Sequence, residues 1–291
     1  MSSAGSPPGE GRPADGHRAE GRPPGGRPSD LYLSVPHARL RFRDEGAGPA
    51  VVLVHGWTLD LDMWEPQAQA LSAAFRVIRL DRRGFGLSSG EPSLAADLAD
   101  LRALMQQLYL RSAALLGMSQ GARVAAHLAA ESPECVSCVI FDGPPSGILS
   151  DDSVAEEEIP VAAYRALIHD GRIEEFRNEW RKHPLAQLRT TDAHAHELLR
   201  RMLIRYQARD LSASQSAAAL PPARIESIGA PALVISGALD LESRIRSANA
   251  LARALPRCER VIVPGAGHLP NLDYPQLYNT RLRRFLQRFA T

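Results

Sequence analysis

The chain has 291 residues, 44% of them hydrophobic, and a formal charge of +1 at pH 7. That length and apolar content allow one large domain or two small ones around a sizeable core. The near-neutral balance leaves no electrostatic footprint for nucleic acid or an anionic membrane, and no run approaches the roughly 20 apolar residues of a membrane span.

Residues 1–30 contain no large aliphatic or aromatic residue after Met1 and are crowded with glycine, proline and arginine. Such a segment cannot bury enough surface to offset its ordering, and disorder is expected. Its acids Glu10, Asp15 and Glu20 are atypical of a transit peptide, and it lacks the apolar middle of a secretory signal, so a cytoplasmic location is expected.

From Leu31 the pattern changes. "LYLSV" and "ARLRF" read as a hairpin of edge strands; "AVVLVH" (50–55), "RVIRLD" (76–81), "SAALLG" (112–117), "VSCVIFD" (136–142), "PALVISG" (231–237) and "ERVIVPG" (259–265) read as later strands. Most are continuously apolar, as strands buried on both faces are. Helical periodicity fills the intervals at about 63–73, 94–109, 120–131, 242–255 and 275–289. This alternation predicts an α/β fold, a mostly parallel central sheet with helices on both faces.

Residues 146–221 interrupt the alternation and read as a helical insertion. They open on the acidic "DDSVAEEE", expected as a solvated loop and helix start. Ile173, Phe176 and Trp180 share one predicted helical face, and Leu198, Leu199, Met202, Leu203 and Tyr206 another. The core is then 31–145 plus 222–291. "HAH" at 194–196 reads as surface. Cys135 and Cys138 lie within the apolar run "CVSCVIF", where burial is expected over metal or redox chemistry, in a reducing compartment.

"GMSQG" (117–121) places Ser119 where a buried strand gives way to a helix with no loop between. Such a turn strains the serine backbone, and the flanking glycines relieve crowding. The hydroxyl would project from the carboxyl edge of the sheet, where a helix aims free N–H groups. The plainer alternative is a turn serine capping a helix. A serine nucleophile needs a base and a group that orients the base. "SGALD" places Asp240 just past a strand end, and "GAGHLPNLD" places His268 in the loop before the final helix. Both loops would open on the same sheet edge as Ser119. Asp142, ending "VIFD", is the rival acid. His127 falls within a helix, and His169 and His183 within the insertion.

Attack on a carbonyl also needs donors for the oxyanion. "LVHGW" ends the first central strand in a tight turn, so the N–H groups of Trp57 and Gln120 are the candidates, with His55 a supporting turn residue. Trp57 and Trp64 are candidate pocket walls, core packing being equally open for Trp64. No metal or organic cofactor is called for, and the expected partner is a small-molecule substrate, with no nucleic acid or membrane.

Taken together, "VVLVHGW" with "DMW", "DRRGFGLSS", "GMSQG", "SGALD" and "GAGHLPNLD" resemble, in order and spacing, the α/β-hydrolase fold across residues 31–291, weakly within the insertion. The resemblance implies a variable cap at 146–221. It leans toward small-molecule esterases, enol-lactonases and carbon–carbon bond hydrolases. It implies an acyl-enzyme at Ser119 with His268 as base and Asp240 as acid. Acyl transfer, or a ligand receptor keeping the fold, are the alternatives. Serine at 119 separates the chain from branches that carry aspartate there, and Ala122 stands where many relatives have a further glycine. Arg82 and Arg83 are read as structural.

Overall fold

The computed structural model describes Met1 and residues 29–149, 159–212 and 219–290. The tail expected to be disordered (residues 2–28) and the acidic stretch 151–158 lie outside these. Asp30, the last residue assigned to the tail from sequence, is ion-paired with Arg41 (2.8 Å) and Arg43 (2.6 Å) on the first hairpin.

Among the described residues, eight strands form one sheet: β1 (Leu31–Val35), β2 (Ala38–Glu45), β3 (Ala50–Val54), β4 (Arg76–Leu80), β5 (Ala113–Met118), β6 (Val136–Asp142), β7 (Ala232–Gly237) and β8 (Cys258–Val263). Their order is β1-β2-β4-β3-β5-β6-β7-β8. β1 and β2 are antiparallel, β2 runs antiparallel to β4, and all later pairs are parallel. The hairpin is therefore not two edge strands. β1 is an edge, while β2 is paired on both sides, and its Leu40 and Phe42 are buried.

The crossovers supply the helices: α1 (Glu65–Leu71), α2 (Leu94–Gln107) and α3 (Gln120–Glu131) before β6, then α9 (Glu242–Ala254), α10 (Pro270–Asp273) and α11 (Pro275–Phe289) around and after β8. Among the described residues, five more lie between β6 and β7: α4 (Val161–His169), α5 (Ile173–Trp180), α6 (Ala193–Arg205), α7 (Arg209–Ser212) and α8 (Pro222–Glu226).

Two cores follow from the period-2 alternation of the strands. On β3, Val52 and Val54 face a core completed by α2, α3, α8 and α9. Val51 and Leu53 face the other, completed by α1 and α11. Helix α11 shows why it docks: Tyr278, Leu282, Phe285 and Leu286, at i, i+4, i+7 and i+8, are all buried, each worth about 1.5–3 kcal/mol of removed apolar surface. Trp64 belongs to this second core and is fully buried. A third, aromatic cluster joins the inserted helices to the loops below them and contains Trp57, Phe85, Tyr164, Phe176, Trp180 and Tyr206.

Candidate active site

Strand β5 ends at Met118, and α3 begins at Gln120. The single residue between, Ser119, has φ 50° and ψ −113°, a region that costs a residue with a Cβ about 1–3 kcal/mol. The turn is that sharp because the backbone closes on itself: a Cβ on Gly117 would lie 2.1 Å from Gly121 O, and one on Gly121 would lie 2.3 Å from Val54 O. The Ser119 N–H donates to Asp142 O (2.8 Å), tying the turn to β6. The bonds of α3 begin with Ala122 N–H to Ser119 O. The Gln120 N–H stands outside that ladder, as the first donors of a helix do.

His268 and Asp240 come from the loops after β8 and β7. Their side chains meet at 2.8 Å, Nδ1 to Oδ2, and both are nearly inaccessible. An ionised carboxylate only accepts, so Nδ1 donates, and Nε2 is left as the acceptor. The other Asp240 oxygen takes the Leu241 N–H at 2.8 Å. Gly143, with φ 50°, makes room for the imidazole: a Cβ there would stand 3.0 Å from His268 Cε1. Buried Asp273 steadies the base loop, accepting from Gly267 N–H (2.8 Å) on one oxygen and from Arg189 (2.6 Å) and Thr190 (3.2 Å) N–H on the other.

Asp142, the rival acid, is turned elsewhere. It accepts the Tyr278 hydroxyl at 2.9 Å and is fully buried. Burial, reinforced by the nearby Asp240 charge and eased by the Tyr278 hydroxyl, holds its carboxyl well above the ordinary value.

The turn after β3 is built around His55. Its Nε2 accepts the Arg82 N–H (2.9 Å), so the proton sits on Nδ1 and is donated to Gly56 O (2.7 Å). Burial and then the Arg82 charge push this imidazole down to about 3, which keeps it neutral and structural. Trp57 follows; its indole Nε1 donates to Asp210 Oδ2 on α7 (2.6 Å), and Trp180 Nε1 donates to Thr58 Oγ1 (2.8 Å). Beside it, Arg82 donates to Asp97 (2.7 and 3.0 Å) and to the Gln120 side-chain oxygen (3.1 Å). No backbone hydrogen bond among the described turns, loops and caps uses the Trp57 or Gln120 N–H.

Ser119, His268, Trp57 and Gln120 line one cavity of about 670 Å³, a volume suited to a small organic molecule. Asp240 reaches it only through His268. Trp64 is not on its wall, because its indole lies in the core beneath the sheet. Arg82 is, while Arg83 pairs with Asp100 (2.6 Å). Sequence reasoning missed Asp210, Arg123 and Arg244 on this wall; their signal is the tertiary placement of helix starts, which no local pattern carries. His194 and His196 are exposed, Cys138 is buried and free, and no group of three potential metal ligands occurs among the described residues.

The family model described as "alpha/beta hydrolase fold" matches residues 49–275. Among solved structures, a thermophilic esterase from Thermogutta terrifontis is 27% identical, covering 91% of this chain and all of its own, with a TM-score of 0.76. The enol-lactonase from Burkholderia xenovorans LB400 is 23% identical, covering 88% of this chain and all of its own, at a TM-score of 0.73. A pimeloyl-[acyl-carrier protein] methyl ester esterase of Nitrosomonas europaea is 24% identical over 83% of this chain and 97% of its own. Some other curated relatives match only locally, the chain spanning between 30% and 41% of their length.

Proposed function

Because this chain belongs to the α/β-hydrolase fold family, we propose that it is a serine hydrolase that cleaves a small carboxylic ester or lactone through an acyl-enzyme. The observation that carries the reading is the 2.8 Å bond from His268 Nδ1 to Asp240, opening on the cavity that Ser119 lines. That bond leaves Nε2 free to accept the Ser119 proton as Oγ attacks the carbonyl carbon. Negative charge then moves to the carbonyl oxygen, where the Trp57 and Gln120 N–H groups receive it, each well-placed donor being worth roughly 3–4 kcal/mol.

Collapse of the adduct expels the alkoxide, which takes the proton from His268 and leaves as alcohol. Water, deprotonated by the same Nε2, attacks the acyl carbon; the second adduct expels Ser119 Oγ, which recovers its proton, and the acid departs. Asp240 holds the tautomer and offsets the charge of the imidazolium. Residues 31–145 and 222–291 form the catalytic core in this reading, and residues 146–221 are the cap.

A fluorophosphonate probe should label Ser119 covalently, and Ser119→Ala should abolish both labelling and hydrolysis of a panel of 4-nitrophenyl esters and lactones. Labelling at another residue, or unchanged turnover by Ser119→Ala, rejects the reading.

A further inference from the structure

A second cavity, of about 360 Å³, adjoins the one that Ser119 lines. The two share Thr58, Trp180, Ala186 and Leu199 as walls. Trp180, the last residue of α5, is the bulkiest of the four and is only 5% exposed. Its indole is held in several directions. Nε1 donates to Thr58 Oγ1 (2.8 Å), the ring stacks on His183 with planes 16° apart, and it meets Trp57 edge-on. Swinging it aside would leave a buried donor unpaired, a costly state. The partition between the two cavities is therefore a fixed wall.

Which part of a substrate meets that wall follows from the chemistry of the base. The main cavity straddles the edge of the sheet. On one side it is lined by Leu98 of α2 and Val124 of α3, residues of the core on that face. On the other it is lined by Leu269, next to His268, and by Leu199 of α6, both packed with the core on the opposite face. The leaving oxygen takes its proton from His268, so the leaving group lies on the His268 side and the acyl group over α2 and α3. The second cavity is on the leaving-group side as well. Leu199 lines both cavities. Gln187 and Leu188 line the second one, and the next residue, Arg189, lies against the His268 loop: a Cβ on Gly267 would stand 3.3 Å from its Nε.

Resting on the serine-hydrolase reading, we propose that Trp180 is the end wall of the leaving-group arm and sets the longest alcohol that an ester substrate can carry. The space beyond it is closed to the alcohol while the indole stands, and becomes part of the same arm once the indole is removed.

The test measures kcat/KM of the full chain for two ester series: acetates of straight-chain alcohols from ethanol to octanol, and ethyl esters of straight-chain acids from acetic to octanoic. Rates should rise along the acetates, each buried methylene being worth about fourfold. They should then fall about tenfold or more where the alcohol meets the indole. Trp180→Ala should move that break to alcohols longer by several carbons and leave the profile of the acid series unchanged in shape. Trp180→Phe, which keeps an aromatic ring in the packing, should move it the same way by less. Adding Leu188→Trp to Trp180→Ala should return the break toward that of the parent, because it refills the second cavity. The absence of a break among the acetates of the parent overturns the proposal, even if neither Trp180 variant folds. So does a break that stays in place in the variants, an equal shift in the acid series, or a uniform loss on all esters, which is what a merely structural tryptophan would give. Fluorophosphonate labelling of Ser119 in the same preparations separates the two ideas: labelling without a shift sinks only this one, and no labelling sinks the reading beneath it.

Discussion

The Asp210 carboxylate and the Trp57 indole, 153 residues apart in sequence, are joined by a 2.6 Å hydrogen bond at the cavity wall. The Tyr206 hydroxyl donates to the other Asp210 oxygen at 2.6 Å. Trp57 also packs edge-on against Trp180, with ring centroids 4.6 Å apart. A turn whose N–H we assign to the oxyanion is thus fixed from above by side chains of the helices between β6 and β7. Burial, only partly offset by these two donors, raises the Asp210 carboxyl above its ordinary value.

Asp210→Ala should therefore lower kcat about tenfold, with a smaller change in KM, because a displaced donor loses part of the worth of a whole one. Asp210→Asn, which keeps an acceptor for Trp57, should retain most of the rate. Steady-state kinetics on both variants, with tryptophan emission as a reporter of the indole, checks this. A change confined to KM, or equal losses in both variants, contradicts it.

Asp240→Asn should lower kcat by about 10³–10⁴ through the wrong imidazole tautomer. Asp142→Asn should cost less than about tenfold, since Asp142 is held by Tyr278 and acts on no group that moves a proton. Matched kinetics of the two asparagine variants decides between the acids; the reverse order moves the acid to β6.

Two buried groups, Asp142 and His55, set opposite pH limbs of stability. The Asp142 carboxyl is raised well above 3.8 in the fold, chiefly by burial. Its contribution is whole below the unfolded value and is lost as pH rises toward the folded one, by up to about 1.4 kcal/mol per unit. Asp142→Asn should gain melting temperature relative to the parent as pH is raised from 4 to 8. His55 is lowered from 6.5 to about 3, chiefly by burial, so its contribution is present above 6.5 and is lost as pH falls from there toward 3. His55→Gln should narrow its deficit against the parent over that range. Melting curves across both ranges that stay parallel would contradict these assignments.

Gly121→Ala should destabilise the fold by about 1–3 kcal/mol or more, because its Cβ would meet Val54 O at 2.3 Å and His55 O at 2.7 Å, both main chain. Gly229→Ala is the control: nothing lies within 4 Å of its Cβ, and a stability change of zero to about +1 kcal/mol is expected. Urea midpoints of the two proteins test the contrast, and similar values would contradict the crowding account.

Strands and the long core helices were legible because burial on both faces writes continuous apolar runs, and burial on one writes a 3.6 period. Thus 120–131 and 275–289 coincide with α3 and α11. Strand β2 was misjudged as an edge because its partner β4 lies beyond β3 in the chain, a fact of topology. α10, four residues inside the loop after His268, is too short to show a period. Ser119, Asp240 and His268 stood out because strand ends carry recognisable turns. Trp64, Arg123 and Arg244 did not resolve, since which way a helix-start side chain leans depends on neighbours far along the sequence.

Asp273 grips Gly267 with one oxygen and Arg189 and Thr190 with the other, so the loop bearing His268 and the strap beneath the inserted helices are clamped into one mechanical part. A mutation that loosens the Arg189–Thr190 stretch is therefore expected to disturb the loop that bears His268 without touching the cavity itself.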